Sequence, residues 1–487
     1  MQTRRRSSLA TCGLVALAPL VFAAARAAER PNVLLVMCDD LSCGLGCYAD
    51  PGAITPHIDR LAARGVRFDK AYCQYPLCNP SRASMLTGRR PAHTKVWNND
   101  VHFRDVDPAI VTLPQAFRQA GWRTERIGKL YHYGVPKQIG TNGLDDPPSW
   151  DEVFNPRGRD VADQKRIFSL VPGSFGGVVS WLAADGTDAE QTDGIGAARA
   201  VARLEEFAKA DGPFFLAVGF YRPHTPYVAP QPWFAAHPRD AIEPPRVPAD
   251  HDAGVPAAAL NTRQPEQARL VGDLAREAIQ AYRASVSFVD AQVGIVLDAL
   301  ERLGLDDRTL VVFASDHGYH LGEHGLWQKR SLFEESARVP LILAGPGCGR
   351  GLVRRVPVEL IDVMPTLCAA AGLPLPAGAD GRDLSCWLTD EAAATADRAG
   401  FGDRAITEAD FGKEGRGTSL RTSRWRYTLW NGGDAGRQLY DHEADPAEMV
   451  NLADRPDHAD VQRALEEQLR PFVTRREPRP AKAGRDR

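Results

Sequence analysis

The sequence predicts an α/β protein: a large, mostly parallel sheet between helices, followed by a smaller C-terminal α+β domain. Four apolar runs have the uninterrupted character of strands buried on both faces. They are Val33-Leu34-Leu35-Val36-Met37, Phe214-Phe215-Leu216-Ala217-Val218, Leu310-Val311-Val312-Phe313-Ala314 and Val339-Pro340-Leu341-Ile342-Leu343. Between them, Ile279, Tyr282, Val286, Val289, Val293, Val296 and Leu300 recur three and four apart, the stripe of an amphipathic helix. After Pro374-Leu375-Pro376 the texture changes to a short strand pattern, a turn and one more helical pattern. The 487 residues allow two or three domains at ~150 residues each. With 44% hydrophobic and 25% charged residues, wholesale disorder, a collagen-like repeat and a polytopic membrane protein are excluded. A net charge of −3 gives no sign of a general nucleic-acid binder.

Taken in order, residues 1–27 carry Arg4, Arg5 and Arg6, an apolar run at 9–25 and an Ala25-Arg26-Ala27 cleavage signal. This is the layout of a secretory signal peptide. Gly13 and Pro19 interrupt the run, which is short for a membrane span. The expectation is an exported protein, periplasmic or secreted, with no membrane attachment after cleavage. Residues 28–374 hold the apolar strands and form the large α/β domain. Within it, residues 141–192 and 229–268 are rich in Gly, Pro, Asp and Ala and read as long loops over the sheet. Residues 375–475 form the smaller domain. There Arg424-Trp425-Arg426-Tyr427-Thr428-Leu429 meets the hairpin signal Asn431-Gly432-Gly433, and a helical pattern spans 459–473. Residues 476–487 read as a disordered basic tail. Of the nine cysteines, Cys38, Cys43, Cys47, Cys73 and Cys78 crowd near the N-terminus without a zinc or redox spacing, so no disulfide is assigned. Cys38 and Cys73 read as small core hydrophobes.

Ligands of open α/β sheets bind where strands end. The first three apolar runs end in Asp39-Asp40, Tyr221-Arg222-Pro223-His224 and Ser315-Asp316-His317-Gly318. Asp39-Asp40 offers two hard oxygen ligands suited to Ca²⁺ or Mg²⁺, and Asp316-His317 is a second such tip, although an isolated Asp-Asp is more often a solvated turn. In Leu77-Cys78-Asn79-Pro80-Ser81-Arg82, Pro80 suits a helix's first turn and puts Cys78 at its N-terminus. Unpaired N–H groups and the dipole favour an anion there, and Arg82, one turn on, adds a charged donor.

The longer string, from Cys78 to Ala83-Ser84-Met85-Leu86-Thr87-Gly88, resembles the C-x-P-S-R and L-T-G signature of the type I, formylglycine-dependent sulfatases. The resemblance runs from about residue 30 to about 475 and is nearest the iduronate-2-sulfatase-like branch. It implies an alkaline-phosphatase-like fold. It also implies hydrolysis of a sulfate ester on a sulfated polysaccharide or oligosaccharide, with uronate 2-sulfate as the specific guess. In that family the cysteine is oxidised by a maturation enzyme to formylglycine, whose hydrate is the nucleophile. Asp39, Asp40, Asp316, His317 and the residue made from Cys78 would hold one divalent cation, usually Ca²⁺. Many members have Asn where His317 stands, and an imidazole is the softer ligand. Gly128-Lys129-Leu130-Tyr131-His132 resembles the family's lysine and histidine pair, Tyr221-Arg222-Pro223-His224-Thr225-Pro226 its second histidine, and Gly322-Glu323-His324-Gly325-Leu326-Trp327-Gln328-Lys329 its second lysine. Arg82, Lys129 and Lys329 would concentrate positive charge on the sulfate, His224 would protonate the departing sugar oxygen, and His132 would take a proton from the remaining hydroxyl. His320, Glu323 and His324 lie nearby with no role assigned. Specificity would lie in loops 97–107, 141–192 and 229–268, with Trp97, Asn98, Asn99, His102 and Arg104 as candidate sugar contacts. Two alternatives stay open: a formylglycine-dependent phosphonate or phosphodiester hydrolase, which shares the cysteine motif, and a non-catalytic sulfated-glycan binding protein if Cys78 stays a thiol.

Overall fold

In the computed structural model, residues 30–390, 402–411 and 415–473 are described; the expected signal peptide and basic tail lie outside them. The first apolar run becomes β1 (Asn32–Asp39), every residue of which is buried. Seven more strands complete its sheet: β2 (Gly65–Phe68), β3 (Arg123–Gly128), β4 (Glu152–Phe154), β5 (Phe214–Pro223), β6 (Thr309–Ser315), β7 (Leu341–Ala344) and β8 (Leu352–Arg354). The spatial order is β8-β2-β7-β6-β1-β5-β3-β4. β7 alone runs against its neighbours, so the sheet is mostly parallel. With β1 central, Val36 lies opposite Phe313 of β6 and Val218 of β5.

Alternate residues of the central strands feed two cores, as the pleat requires. Leu34, Val36, Leu216, Val218, Val311 and Phe313 pack under α1 (Pro56–Arg64), α4 (Thr192–Phe207) and α5 (Gly272–Arg302). The predicted stripe from Ile279 to Leu300 is the buried face of α5. Val33, Leu35, Phe215, Ala217, Leu310 and Val312 pack against α2 (Cys78–Thr87), α3 (Leu113–Gln119) and α6 (Val363–Ala370). The architecture is the alkaline-phosphatase-like one, with helices on both faces of a large sheet.

Four antiparallel strands follow: β9 (Ala405–Asp410), β10 (Arg416–Arg421), β11 (Trp425–Trp430) and β12 (Arg437–Asp441). The predicted turn at 431–433 joins the last two. One face is covered by α7 (Ala459–Leu469) through Leu420, Tyr427, Leu439, Leu465 and Leu469. On the other side, Arg421 and Arg426 reach Glu334, and Arg426 also pairs with Glu448, an ion network buried against the large sheet's loops.

The segments read as long loops are more ordered than expected. Ser180–Ala184 pairs with Tyr227–Pro230 in parallel and with Phe168–Ser169 antiparallel. Glu152–Phe154 adds β4 to the edge of the main sheet. Strands of two to five residues carry too few apolar positions to show a period.

Candidate active site

Four strand ends and one helix N-terminus meet at the carboxyl edge of the sheet. The β1–β5 register slips between Met37 and Asp39, so that Asp39 comes opposite Pro223. Such an irregularity re-aims the strand tip. Asp40 then takes a left-handed conformation, φ 65°, a strained state for a non-glycine residue. It is held there by Tyr282, whose hydroxyl donates to Asp40 O at 2.8 Å, and by its own N–H donating to Asp316 Oδ1 at 3.1 Å. At the end of β3, Gly128 has φ 73°, and a Cβ there would lie 2.1 Å from Gly219 O. Only glycine allows this approach, which lets Lys129 N–H bond Gly219 O at 2.7 Å and turns the lysine inward.

Cys78 opens α2, whose ten residues are all buried. Its Sγ lies 3.2 Å from Lys329 Nζ, 3.4 Å from His317 Nε2 and 3.8 Å from Asp40 Oδ1. Burial raises its thiol, but the ammonium groups of Lys329 and Lys129 act against it and leave it below the ordinary thiol range. Lys129 pairs with Asp39 Oδ2 and Lys329 with Asp40 Oδ1. Burial would raise Asp39, yet Lys129, His224 and Arg82 together hold it well below the usual carboxylate range. Asp40 is pushed up to about 7 by burial, against the pull of Lys329.

Two groups of ligand atoms converge here, Asp39, Asp40, Cys78 and His224 on one side and Asp40, Cys78, Asp316 and His317 on the other. Asp40 Oδ2 is buried with no hydrogen-bond partner. An oxygen-rich, anionic donor set with an orphaned carboxylate oxygen fits a hard divalent cation. His224 Nδ1 donates to Thr225 O at 2.6 Å, since a carbonyl only accepts, so in the neutral ring Nε2 is bare, 3.7 Å from Asp40 Oδ2. Burial and then Lys329 drive His224 well below its ordinary value, and burial pushes His132 down to about 2.

Arg82 is placed differently from its expected role. Its guanidinium donates to Asp316 Oδ2 at 2.8 Å, Asp39 Oδ1 at 3.0 Å, and the carbonyls of Lys129 and Leu130 at 2.7 and 2.8 Å. Fully buried and committed to these four acceptors, it clamps the carboxylates rather than facing a ligand.

A cleft of about 500 Å³ opens beside Cys78, lined by Asn99, His132, Lys137, His224, Lys329 and Arg330. Of the five candidate sugar contacts, Asn99 alone lines it. Arg104 is spent on Asp146, Gln115 and two carbonyls, and His102 caps the short helix Phe103–Val106 by accepting from Arg104 N–H. Asn98 Oδ1 accepts from the N–H groups of Asp100 and Val101, and Trp97 lies under the Arg416 guanidinium at 4.0 Å. None of these four lines the cleft.

Sequence reading missed the frame behind His224. Asp193 accepts from Tyr221 and Arg222 N–H, both at 2.9 Å, while Arg222 donates to Asp160 Oδ2 at 2.6 Å and to Pro226 O at 3.0 Å. Arg222, inside the quoted motif, was the available signal; Asp160 and Asp193 carried none.

A mostly parallel sheet with helices on both faces, and a cation-lined anion pocket at its carboxyl edge, define a hydrolase of the alkaline-phosphatase-like class. The family model described as Sulfatase matches residues 31–373, and that for the C-terminal part of N-sulphoglucosamine sulphohydrolase matches 322–475. A sulfatase of Formosa agariphila is 33% identical over 440 residues, covering 87% of this chain and 83% of its own. Human iduronate 2-sulfatase is 34% identical over 398 residues, 71% and 70% of the two chains. Among solved structures, a phosphonate monoester hydrolase of Agrobacterium radiobacter superposes with a TM-score of 0.74 at 24% identity, over 91% and 95% of the chains. The chain belongs to the sulfatase family and is a sulfuric ester hydrolase.

Proposed function

We propose that the protein removes sulfate from a sulfated polysaccharide or oligosaccharide, using a formylglycine made from Cys78 by a maturation enzyme and one Ca²⁺. The observation that carries this reading is the setting of Cys78, a buried thiol within 3.8 Å of Lys329, His317 and Asp40 at a helix N-terminus. A uronate 2-sulfate is the substrate proposed, on the strength of the iduronate 2-sulfatases among its relatives. The mature enzyme is proposed to act after export, and residues 28–374 and 375–475 are proposed as its catalytic and smaller domains. Among the described residues no helix is long and apolar enough to cross a membrane.

Asp39, Asp40, Asp316, His317 and the residue made from Cys78 would hold the cation, which when bound supplies charge against a sulfate oxygen and favours an ionised hydroxyl. A formylglycine hydrate at position 78 would supply one hydroxyl as nucleophile and a second hydroxyl from which a proton can be taken. Lys129 and Lys329 bring two ammonium groups to the anion, and the N–H groups opening α2 add a smaller attraction. Arg82 helps hold Asp39 ionised and aims it together with Asp316. His224, with Nδ1–H fixed on Thr225 O, presents Nε2 as the atom that carries a proton to the leaving oxygen. Burial keeps this ring neutral in the free protein, and an arriving sulfate ester brings the negative charge that favours its protonation. His132 is neutral as well and takes the hydroxyl proton.

The test is the mass of the Cys78 peptide from protein made with a maturation enzyme, with aldehyde trapping, followed by a substrate panel. Conversion of thiol to aldehyde with turnover of a sugar 2-sulfate is the expected result. An unmodified thiol in fully active protein would sink the nucleophile, and preference for phosphonate monoesters over every sulfate would sink the substrate class.

A further inference from the structure

The cleft beside Cys78 does not end at its rim. Phe175, one of its lining residues, also lines a groove of about 810 Å³ formed by the 161–175 segment and Arg269. Gln264 and Gln267 line the cleft and Arg269, two residues on, lines the groove, so two segments cross from one cavity to the other. Both lie in, or directly follow, the long segments expected to shape specificity. Each cavity alone falls in the ~300–1,000 Å³ of a site for one small molecule, and together they exceed it.

The wall between the two cavities is tied down. Thr225 Oγ1, on the residue after His224, donates to Val178 O at 3.0 Å, and Ser169 Oγ donates to Ser174 O at 2.6 Å. Gly176 has φ 81°, and a Cβ there would lie 2.1 Å from Val135 O, so only glycine lets this segment lie against the cleft wall. Phe175 is half-buried on Ile167, Leu182, Ala184 and Val228, while Phe168 stays 40% exposed with its ring 4.4 Å from that of Trp181. The charge of the lining is one-sided. Among the described residues no Asp or Glu lines either cavity, although the chain holds 62 acids against 59 Lys and Arg. Lys137, Lys329 and Arg330 line the cleft, and Lys165 and Arg269 the groove. Exposed Lys165 makes no ion pair among the described residues. Arg269 donates to Leu170 O at 2.7 Å, a carbonyl that leaves its charge uncompensated.

We propose that this groove is a second subsite, which holds the next sugar of an anionic glycan chain while the sugar to be desulfated sits beside Cys78. Lys165 and Arg269 would take a sulfate or carboxylate of that second sugar, and Phe168 and Phe175 the apolar face of its ring. Arginine has five N–H donors and Leu170 O takes one, so Arg269 keeps enough for a forked contact with an oxyanion. A cationic lining without carboxylates also raises the local concentration of a polyanion, which a neutral sugar would not exploit. The subsite rests on the sulfated-glycan reading of the cleft and narrows that reading to a chain whose second residue is itself anionic.

The test uses the full-length mature protein with Cys78 left as a thiol, in saturating Ca²⁺, so that binding is read without turnover. Two ligands are titrated by calorimetry: a uronate 2-sulfate monosaccharide, and a tetrasaccharide that ends in the same sugar and carries a sulfate on the next. The tetrasaccharide should bind at least about 10-fold more tightly, and Lys165→Gln/Arg269→Gln should remove that increment. High salt should shrink it as well, because these charges face solvent. Lys165→Glu changes only an exposed, unpaired position, so it folds, and it should weaken the tetrasaccharide more than Lys165→Gln does. In converted enzyme the double variant should raise KM for the tetrasaccharide about 10-fold and move kcat little. Equal affinities of the two ligands for wild type, or an increment that survives the double variant, would overturn the subsite and leave the cleft's reading standing. Failure of both ligands to bind would refute the glycan reading itself, and the subsite with it.

Discussion

Arg82→Met separates the two roles open to a buried arginine beside the nucleophile. The guanidinium makes four hydrogen bonds, two to carboxylates on different strand tips and two to carbonyls at the end of β3. Methionine fills similar volume and satisfies none of them. Breaking a buried ion pair from one side costs about 3–5 kcal/mol, and the two carbonyls add to this where water cannot reach them. Arg82→Lys keeps the charge but has one shorter arm and no fork, so about 1–3 kcal/mol is expected from the acceptors it leaves. The assay is urea unfolding at neutral pH in saturating Ca²⁺, with kcat and KM measured on the same samples. The clamp predicts a large loss of stability in Met, a smaller one in Lys, and a fall in kcat in both. If Arg82 instead gripped the sulfate, stability would stay within about 0.5 kcal/mol and KM would carry the effect. That result would refute the reasoning.

Three further outcomes follow from the geometry. His224→Ala should lower kcat by about 10²–10⁴-fold on sugar sulfates and far less on a nitrophenyl sulfate, whose leaving group needs no proton; equal losses on both would remove its acid role. Gly128→Ala puts a Cβ 2.1 Å from Gly219 O at φ 73°, so unfolding should show a loss of at least ~1–2 kcal/mol with reduced turnover through Lys129. Glu448 is raised by burial but held at about 2 by Arg426 and His442, so its contribution is present above the ordinary carboxylate value of 4.5 and disappears as pH falls toward 2. Urea midpoints taken between pH 5 and 2.5 should fall in wild type, and Glu448→Gln should be less stable at pH 5 with a shallower fall.

The four middle strands of the sheet, β1, β5, β6 and β7, were legible because each is a local apolar run, and so were the polar tips of the first three runs, because the chemistry begins at the next residue. Cys78 and Pro80 likewise fix a helix start within three positions. What the sequence hid was where long polar arms are spent. Arg82 looked like a donor to an anion, but Asp39 and Asp316, 43 and 234 positions away, consume it. Arg104 looked like a sugar contact, yet Asp146 lies 42 positions on. Nothing local separates a free guanidinium from a committed one. Asp193 was invisible for the converse reason: it sits in the first turn of α4 and acts through two backbone N–H groups on β5.

The complete burial of α2 sets a clock on the proposed modification. With Cys78 inaccessible in the folded chain, an enzyme that oxidises its thiol must reach it while this segment is still extended. Folding and oxidation then compete, and a chain that folds first is locked as a thiol. The active fraction of any preparation would be decided during synthesis, and neither storage nor added cation would recover the rest. Turnover per mole of protein would report that lost race as much as catalysis, and active-site titration would be needed to tell them apart.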